Sequence, residues 1–159
     1  MSKFISPLSV FCSKAKRFIL NLNQYRNTHF RLLNNSKINY KKYMERQILS
    51  SKFHSDKVLC IYRVYPKTKR GFDIGNVCSI HEKFFEDALV ELGKLPDDNY
   101  NYIPLVIFMK GDIDKENPRV EIEVVDFNEE DKKISLSIKA LVDPEDDVVE
   151  TTEEEASEE

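Results

Sequence analysis

The sequence predicts an α+β fold: one small mixed sheet with two main helices, followed by an acidic tail. Three observations lead there. Apolar residues alternate along several short runs, the period of a half-buried strand, and recur every third or fourth position along two longer runs, the period of an amphipathic helix. The last 17 residues carry ten acids, no base and almost nothing to bury, so residues 143–159 are expected to be a disordered tail. A chain of 159 residues is the size of one ordinary domain with tails, and no internal repeat divides it.

Residues 1–15 read as an N-terminal extension. FISPLSVF is short, broken by Pro7 and preceded by a single lysine, so no signal peptide is expected there. The domain is expected over residues 16–142. KRFILNLN (16–23) alternates Phe18, Leu20 and Leu22 and predicts a strand. NQYRNTHFRLLNNSK has no clear period and reads as a basic loop with aromatics, which either stack bases or anchor the loop to the core. After Ser36, an acceptable N-cap, Tyr40, Met44 and Ile48 mark one face of a first helix, with Lys37, Lys41 and Lys42 largely off it. KVLCIYRVYPK (57–67) is rich in β-branched and aromatic residues and predicts the second strand.

Ser79 and Glu82 fit a capping box that opens a second helix, which would run to Gly93. Phe84, Phe85, Ala88, Leu89 and Leu92 would form its buried face, with Glu82, Lys83, Glu86, Asp87 and Glu91 away from it and Lys83 paired with Asp87 at i, i+4. IPLVIFMK (103–110) and RVEIEVVDF (119–127) flank the polar connector GDIDKENP and read as a hairpin, and KKISLSIKALV (132–142) predicts a last edge strand.

Charge is distributed unequally. Residues 1–70 hold 16 Lys and Arg against only Glu45 and Asp56, a net +14, while residues 71–159 hold 8 basic against 26 acidic residues, a net −18. A half this basic attracts polyanions through its summed field and through counterion release, which makes nucleic acid the leading partner. The alternative is that the halves neutralise each other within one fold. Apolar runs such as IPLVIFM fall far short of the roughly 20 residues that span a bilayer, so no membrane association is expected. Cys12, Cys60 and Cys78 are widely spaced and have no histidine ladder, which suits reduced thiols in a cytoplasmic protein.

Asp73 lies in a turn directly after the cations Lys67, Lys69 and Arg70, and Asp97-Asp98 follows a proline in a second turn. Acids in turns beside cations suggest a metal-and-phosphate site, in which Mg²⁺ held by carboxylates neutralises the scissile group and activates water. Ordinary turns also carry Asp pairs. A helix over 79–93 would be roughly 22 Å long at 1.5 Å per residue, so Asp73 and Asp98 would start at opposite ends of it.

Three segments resemble the RusA-like Holliday junction resolvases, especially their bacteriophage-encoded members: D-I-G-N at 73–76, H-E-K-F-F-E-D-A-L-V at 81–90 and L-P-D-D-N at 95–99. The resemblance covers roughly Arg17 to Val125. It implies a Mg²⁺-dependent endonuclease that cuts branched DNA as a homodimer, in the host cytoplasm if phage-encoded. It places Asp73 on the family's first metal-binding Asp, Asn76 on the Asn that follows, Lys83 on the catalytic lysine and Asp97-Asp98 on the paired acids. Gly75 stands where the family has its second Asp, and about four extra residues separate Asn76 from the lysine. Glu82, just before Lys83, is the replacement ligand the resemblance offers. Arg26, His29, Arg31, Lys67, Lys69, Arg70 and Asn76 would grip DNA, with His29 alternatively in proton transfer. Two other readings stay open: a catalytically impaired relative that binds branched DNA, and an interaction protein that targets a host nucleic-acid enzyme with its acidic half.

The acidic tail would serve as a partner-binding or DNA-mimicking arm. Ten acids tethered near a basic surface compete with phosphate, so truncation after Val142 is expected to tighten DNA binding at low salt, measured as Kd by fluorescence anisotropy. Unchanged affinity would remove that role.

Overall fold

The computed structural model describes residues 1–53 and 56–127. In chain order the elements are β1 (Ser2–Ser6), β2 (Ser9–Phe11), β3 (Arg17–Ile19), α1 (Leu22–Asn27), α2 (Phe30–Ser50), β4 (Val58–Tyr65), α3 (Ile74–Glu91), β5 (Leu105–Lys110) and β6 (Arg119–Asp126). The strand expected over 132–142 and the tail over 143–159 lie outside the described residues.

The α+β class holds. The main sheet has the order β1-β6-β4-β5 and is mixed: β4 and β5 run parallel, while β6 is antiparallel to both β4 and β1. A parallel pair needs a crossover, and α3 supplies it between β4 and β5. One register row crosses the whole sheet as Phe4, Ile122, Tyr62 and Phe108. Phe85 of α3 packs on this row, with ring centroids 5.0 Å from Phe4 and 6.3 Å from Tyr62. Phe84 turns the other way and meets Tyr40 of α2 at 5.6 Å, Phe18 of β3 at 5.9 Å and Tyr25 of α1 at 6.4 Å.

Four expectations are corrected. Residues 2–6 are not an extension but an edge strand of the main sheet, paired with β6 from Ser2↔Val124 to Ser6↔Val120, and residues 9–11 pair with β3 in a separate two-stranded ribbon. The expected strand over 16–23 is shorter, because Leu22 already opens α1. The region after it is helical: Asn21 caps α1, His29 caps α2, and Ser36 lies buried one and a half turns inside α2, its hydroxyl donating to the Leu32 carbonyl at 2.8 Å. Finally, 103–110 and 119–127 do not form a hairpin, since β4 sits between β5 and β6. A polar connector of this length looks the same whether the strands it joins are neighbours or one strand apart.

Three elements meet at one hydroxyl. The buried Ser6 Oγ lies 2.8 Å from the Tyr40 hydroxyl and 2.7 Å from His81 Nδ1, joining β1, α2 and α3. Burial holds His81 neutral, with its pKa lowered to about 3. Cys12, Cys60 and Cys78 are free and buried. Among the described residues no helix is long and apolar enough to cross a membrane.

Removing the shared hydroxyl strands two buried partners at once, whereas removing the tyrosine hydroxyl strands none that Ser6 cannot redirect to His81. Ser6→Ala is therefore expected to lose about 2–4 kcal/mol in urea denaturation and Tyr40→Phe about 1 kcal/mol. Equal losses would show that the three groups do not act through Ser6.

Candidate functional site

Asp73 is the N-cap of α3: its Oδ1 accepts from the backbone N–H of Gly75 at 2.9 Å and of Asn76 at 3.3 Å. The helix therefore begins at Ile74, five residues before the Ser79 start expected from the capping box. Ser79 and Glu82 do not cap. Ser79 lies in the second turn, where its buried Oγ has no hydrogen-bond partner, and Glu82 is released for another role. Gly75 takes an ordinary helical place in the first turn of α3.

Glu82 is half-buried, and burial raises its pKa. One turn further, Glu86 is only 6 % exposed, although the sequence placed it with the solvated acids. Its Oε1 accepts from the Tyr62 hydroxyl at 3.1 Å. Burial pushes the Glu86 pKa up to about 8, and the charges of Glu82, Asp98 and Asp87 push in the same direction. Cys78, Glu82 and Glu86 lie at i, i+4 and i+8, and Cys78 and Glu86 are buried with Phe85 and Leu89 on the side of α3 that meets the sheet. That spacing was visible in the sequence and was the available signal for Glu86. It was masked by the helix start at Ser79 and by the rule that charged residues face water.

The other predicted acids are spread out. Asp97 and Asp98 are exposed in the turn after α3, where the Asp97 carboxylate accepts from the Asp98 backbone N–H at 2.9 Å and from the Asn99 side-chain amide. Asp73 and Asp98 bracket a helix of 18 residues, about 27 Å long at 1.5 Å per residue. One chain does not bring them together. Among the described residues no three His, Cys, Asp or Glu side chains are grouped so as to hold a metal ion. Glu82 and Glu86 lie one turn apart on α3, and Asp98 is near enough to act on Glu86 by its charge.

Lys83 is exposed and has no acidic partner among the described residues. The expected Lys83–Asp87 pair is replaced by a seam between helices. Lys37 Nζ of α2 lies 2.5 Å from Asp87 Oδ2, and Lys41 pairs with Glu91 one turn on. A partner on a packed neighbouring helix restrains Asp87 from the side, and Lys83 is left free.

The expected DNA-gripping residues fall on two connections. Arg26 lies in the last turn of α1, His29 caps α2 through Nδ1, which accepts from the Arg31 N–H at 3.3 Å, and Arg31 lies 5.8 Å over the Phe30 ring. Tyr25 packs against the core as an anchor, whereas Phe30 is 68 % exposed. Of the loop's aromatics, Tyr25 is thus an anchor and Phe30 stays on the surface. Lys67, Lys69 and Arg70 are exposed between β4 and Asp73, and Asn76 follows in the first turn of α3.

No protein-family model matches this chain, and no curated protein matches it in sequence.

A carboxyl group whose pKa is raised in the folded state contributes most below its unfolded value of 4.5, and that contribution is lost as pH rises through about 8. Glu86→Gln keeps an acceptor for Tyr62 and removes the titration. It is expected to match the native chain in urea stability at pH 4 and to exceed it at pH 8.5 by on the order of a few kcal/mol. A difference independent of pH would mean that Glu86 is not held protonated.

Proposed function

We propose that this protein is a Mg²⁺-dependent endonuclease that cuts branched DNA, such as Holliday junctions in recombination and repair, and that it works as a homodimer. The observation that carries this reading is the pair Glu82 and Glu86, one turn apart on α3, with Glu86 buried among like charges and Lys83 unpaired beside it. Strongly shifted carboxyls of this kind concentrate at functional sites. The donors fit the ion: Mg²⁺ takes oxygen ligands and commonly uses only one or two carboxylates, with waters and substrate phosphate oxygens completing its shell. When bound, Mg²⁺ supplies charge neutralisation and an activated water.

The chain's own residues do the rest. Glu82 and Glu86 hold the ion, Asp98 adds negative field, and Lys83 is placed three residues before Glu86 to stabilise charge that develops on the phosphate. Lys67, Lys69 and Arg70 bind phosphates on the approach to Asp73. In a two-fold dimer, Asp73 of one protomer can approach Asp98 of its partner across the ends of paired helices, which one chain cannot arrange. Two-fold symmetry also suits two cuts in a four-way junction.

A second reading rests on Asp73, whose Oδ1 is engaged by the helix start, and on Gly75 beside it: the protein binds branched DNA without cutting it. A side chain at Gly75 is permitted, since an added Cβ meets only Asp73 Oδ1, at 3.4 Å.

A synthetic four-way junction incubated with Mg²⁺ tests both. Cleavage is expected from the native chain and to fall at least a hundredfold in Lys83→Ala and Glu86→Gln, with junction binding kept. Asp73→Asn retains the cap acceptor and so reports on metal binding apart from folding. Binding without cleavage, with cleavage gained in Gly75→Asp, would select the second reading. Neither binding nor cleavage would overturn both, and a monomer in sedimentation at micromolar concentration would overturn the dimer.

A further inference from the structure

The two-stranded ribbon has an outer face that the core does not use. Val10 and Phe18 point inward, so Ser9, Phe11, Arg17 and Ile19 point outward, with Phe11 and Ile19 each 48 % exposed. Arg17 is anchored on this face: its guanidinium carbon lies 4.6 Å from the Phe11 ring centroid, and Nη1 donates to Ser9 Oγ at 2.9 Å. The ribbon is tied to α2 by the Asn39 side-chain amide donating to the Phe11 carbonyl at 2.7 Å and by Asn35 donating to the Cys12 carbonyl at 3.3 Å. One turn beyond Asn39, Tyr43 is 53 % exposed and faces Arg17 across an open groove of about 430 Å³ that Ile5 and Leu8 also line.

The surrounding charge points to a polyanion. Lys37 and Lys41, on the opposite flank of α2, are spent on the acids of α3. Lys14, Lys16, Lys42 and Arg46 are exposed and unpaired with any acid among the described residues, and Glu116 is the acid that borders the groove. An exposed tyrosine and a guanidinium layered on an aromatic ring, set among free cations, match the chemistry of an unstacked nucleobase with its phosphates.

We propose that the outer face of the β2–β3 ribbon, with Tyr43, is a stacking platform for unpaired bases of single-stranded or branched DNA. Arg17 and Tyr43 present the π surfaces, Phe11 backs the Arg17 guanidinium, and Lys14, Lys16, Lys42 and Arg46 carry the backbone. The platform rests on the DNA-binding part of the proposed function but not on cleavage.

The test measures Kd of the full chain, without Mg²⁺, for an oligothymidine, a four-way junction with an unpaired base at its centre, and a fully paired duplex. Tyr43→Ala and Arg17→Lys, the latter keeping charge but losing the plane, are each expected to weaken the first two by about tenfold and leave the duplex unchanged. The sequence has no tryptophan, so Tyr43→Trp creates a single reporter whose fluorescence should be quenched by the oligothymidine and not by the duplex. Quenching also decides the matter if an alanine variant fails to fold. Equal losses on all three DNAs, or an unquenched Trp at saturation, would overturn the platform. Selective base binding by a chain that cuts nothing would uphold it while the nuclease reading falls.

Discussion

The rotation of α3 about its own axis decides what this protein can present, and that rotation is fixed by Ser6. His81 donates to or accepts from the Ser6 hydroxyl, and one turn further along the same face Phe85 is wedged against Phe4 and Tyr62. With 100° between successive residues, these two contacts leave no freedom to turn Glu86 toward water. Its carboxyl is delivered to the Tyr62 hydroxyl. Because the same hydroxyl also meets Tyr40, the register of α2 against α3 is set at the same place, and the Lys37–Asp87 and Lys41–Glu91 pairs follow as a seam with matching four-residue spacing.

The opposed charges of the two halves of the chain have two outcomes in the fold. Lys3, Lys37 and Lys41 meet acids from the second half, at Glu121, Asp87 and Glu91. For these residues internal neutralisation holds. Cations on the far flank of α2, on the ribbon turn and before Asp73 have no such partner among the described residues, so a basic surface survives the pairing. The polyanion argument thus applies to a subset of the sixteen bases, and the fold specifies which.

Periodicity made the core legible. Tyr40, Met44 and Ile48, the β4 run and the Phe84, Phe85, Ala88 and Leu89 face all pack where their spacing put them. Helix starts were less legible, because several residues compete to cap: Asp73 outranks Ser79 by offering a carboxylate to two N–H groups, and His29 caps where a histidine is an unusual choice. Strand order was not legible, since neither the pairing of Ser2–Ser6 with β6 nor the insertion of β4 between β5 and β6 leaves a local mark. Asp73, Asp97 and Asp98 stood out in the sequence by their position beside turns, whereas the burial of Glu86 was hidden by its chemical type.

Glu86 is also where stability and use conflict most openly. A glutamine there would satisfy Tyr62 equally well, and a methionine would fill the volume without any charge to desolvate. A carboxyl held at a pKa near 8 beside Glu82 is the worst of the three for folding at neutral pH. The hydrogen bond from Tyr62 does not require a carboxyl, so packing alone leaves the choice of glutamate unexplained, and the proposed site accounts for it. Asp73 differs in this respect: its cap alone accounts for its presence, and any role as a ligand must be exercised through the carboxylate oxygen that the helix start leaves free. The physical case for the proposed chemistry therefore rests more heavily on the middle of α3 than on the two turns that bracket it, and Gly75 matters less than the acid pair about two and three turns further along.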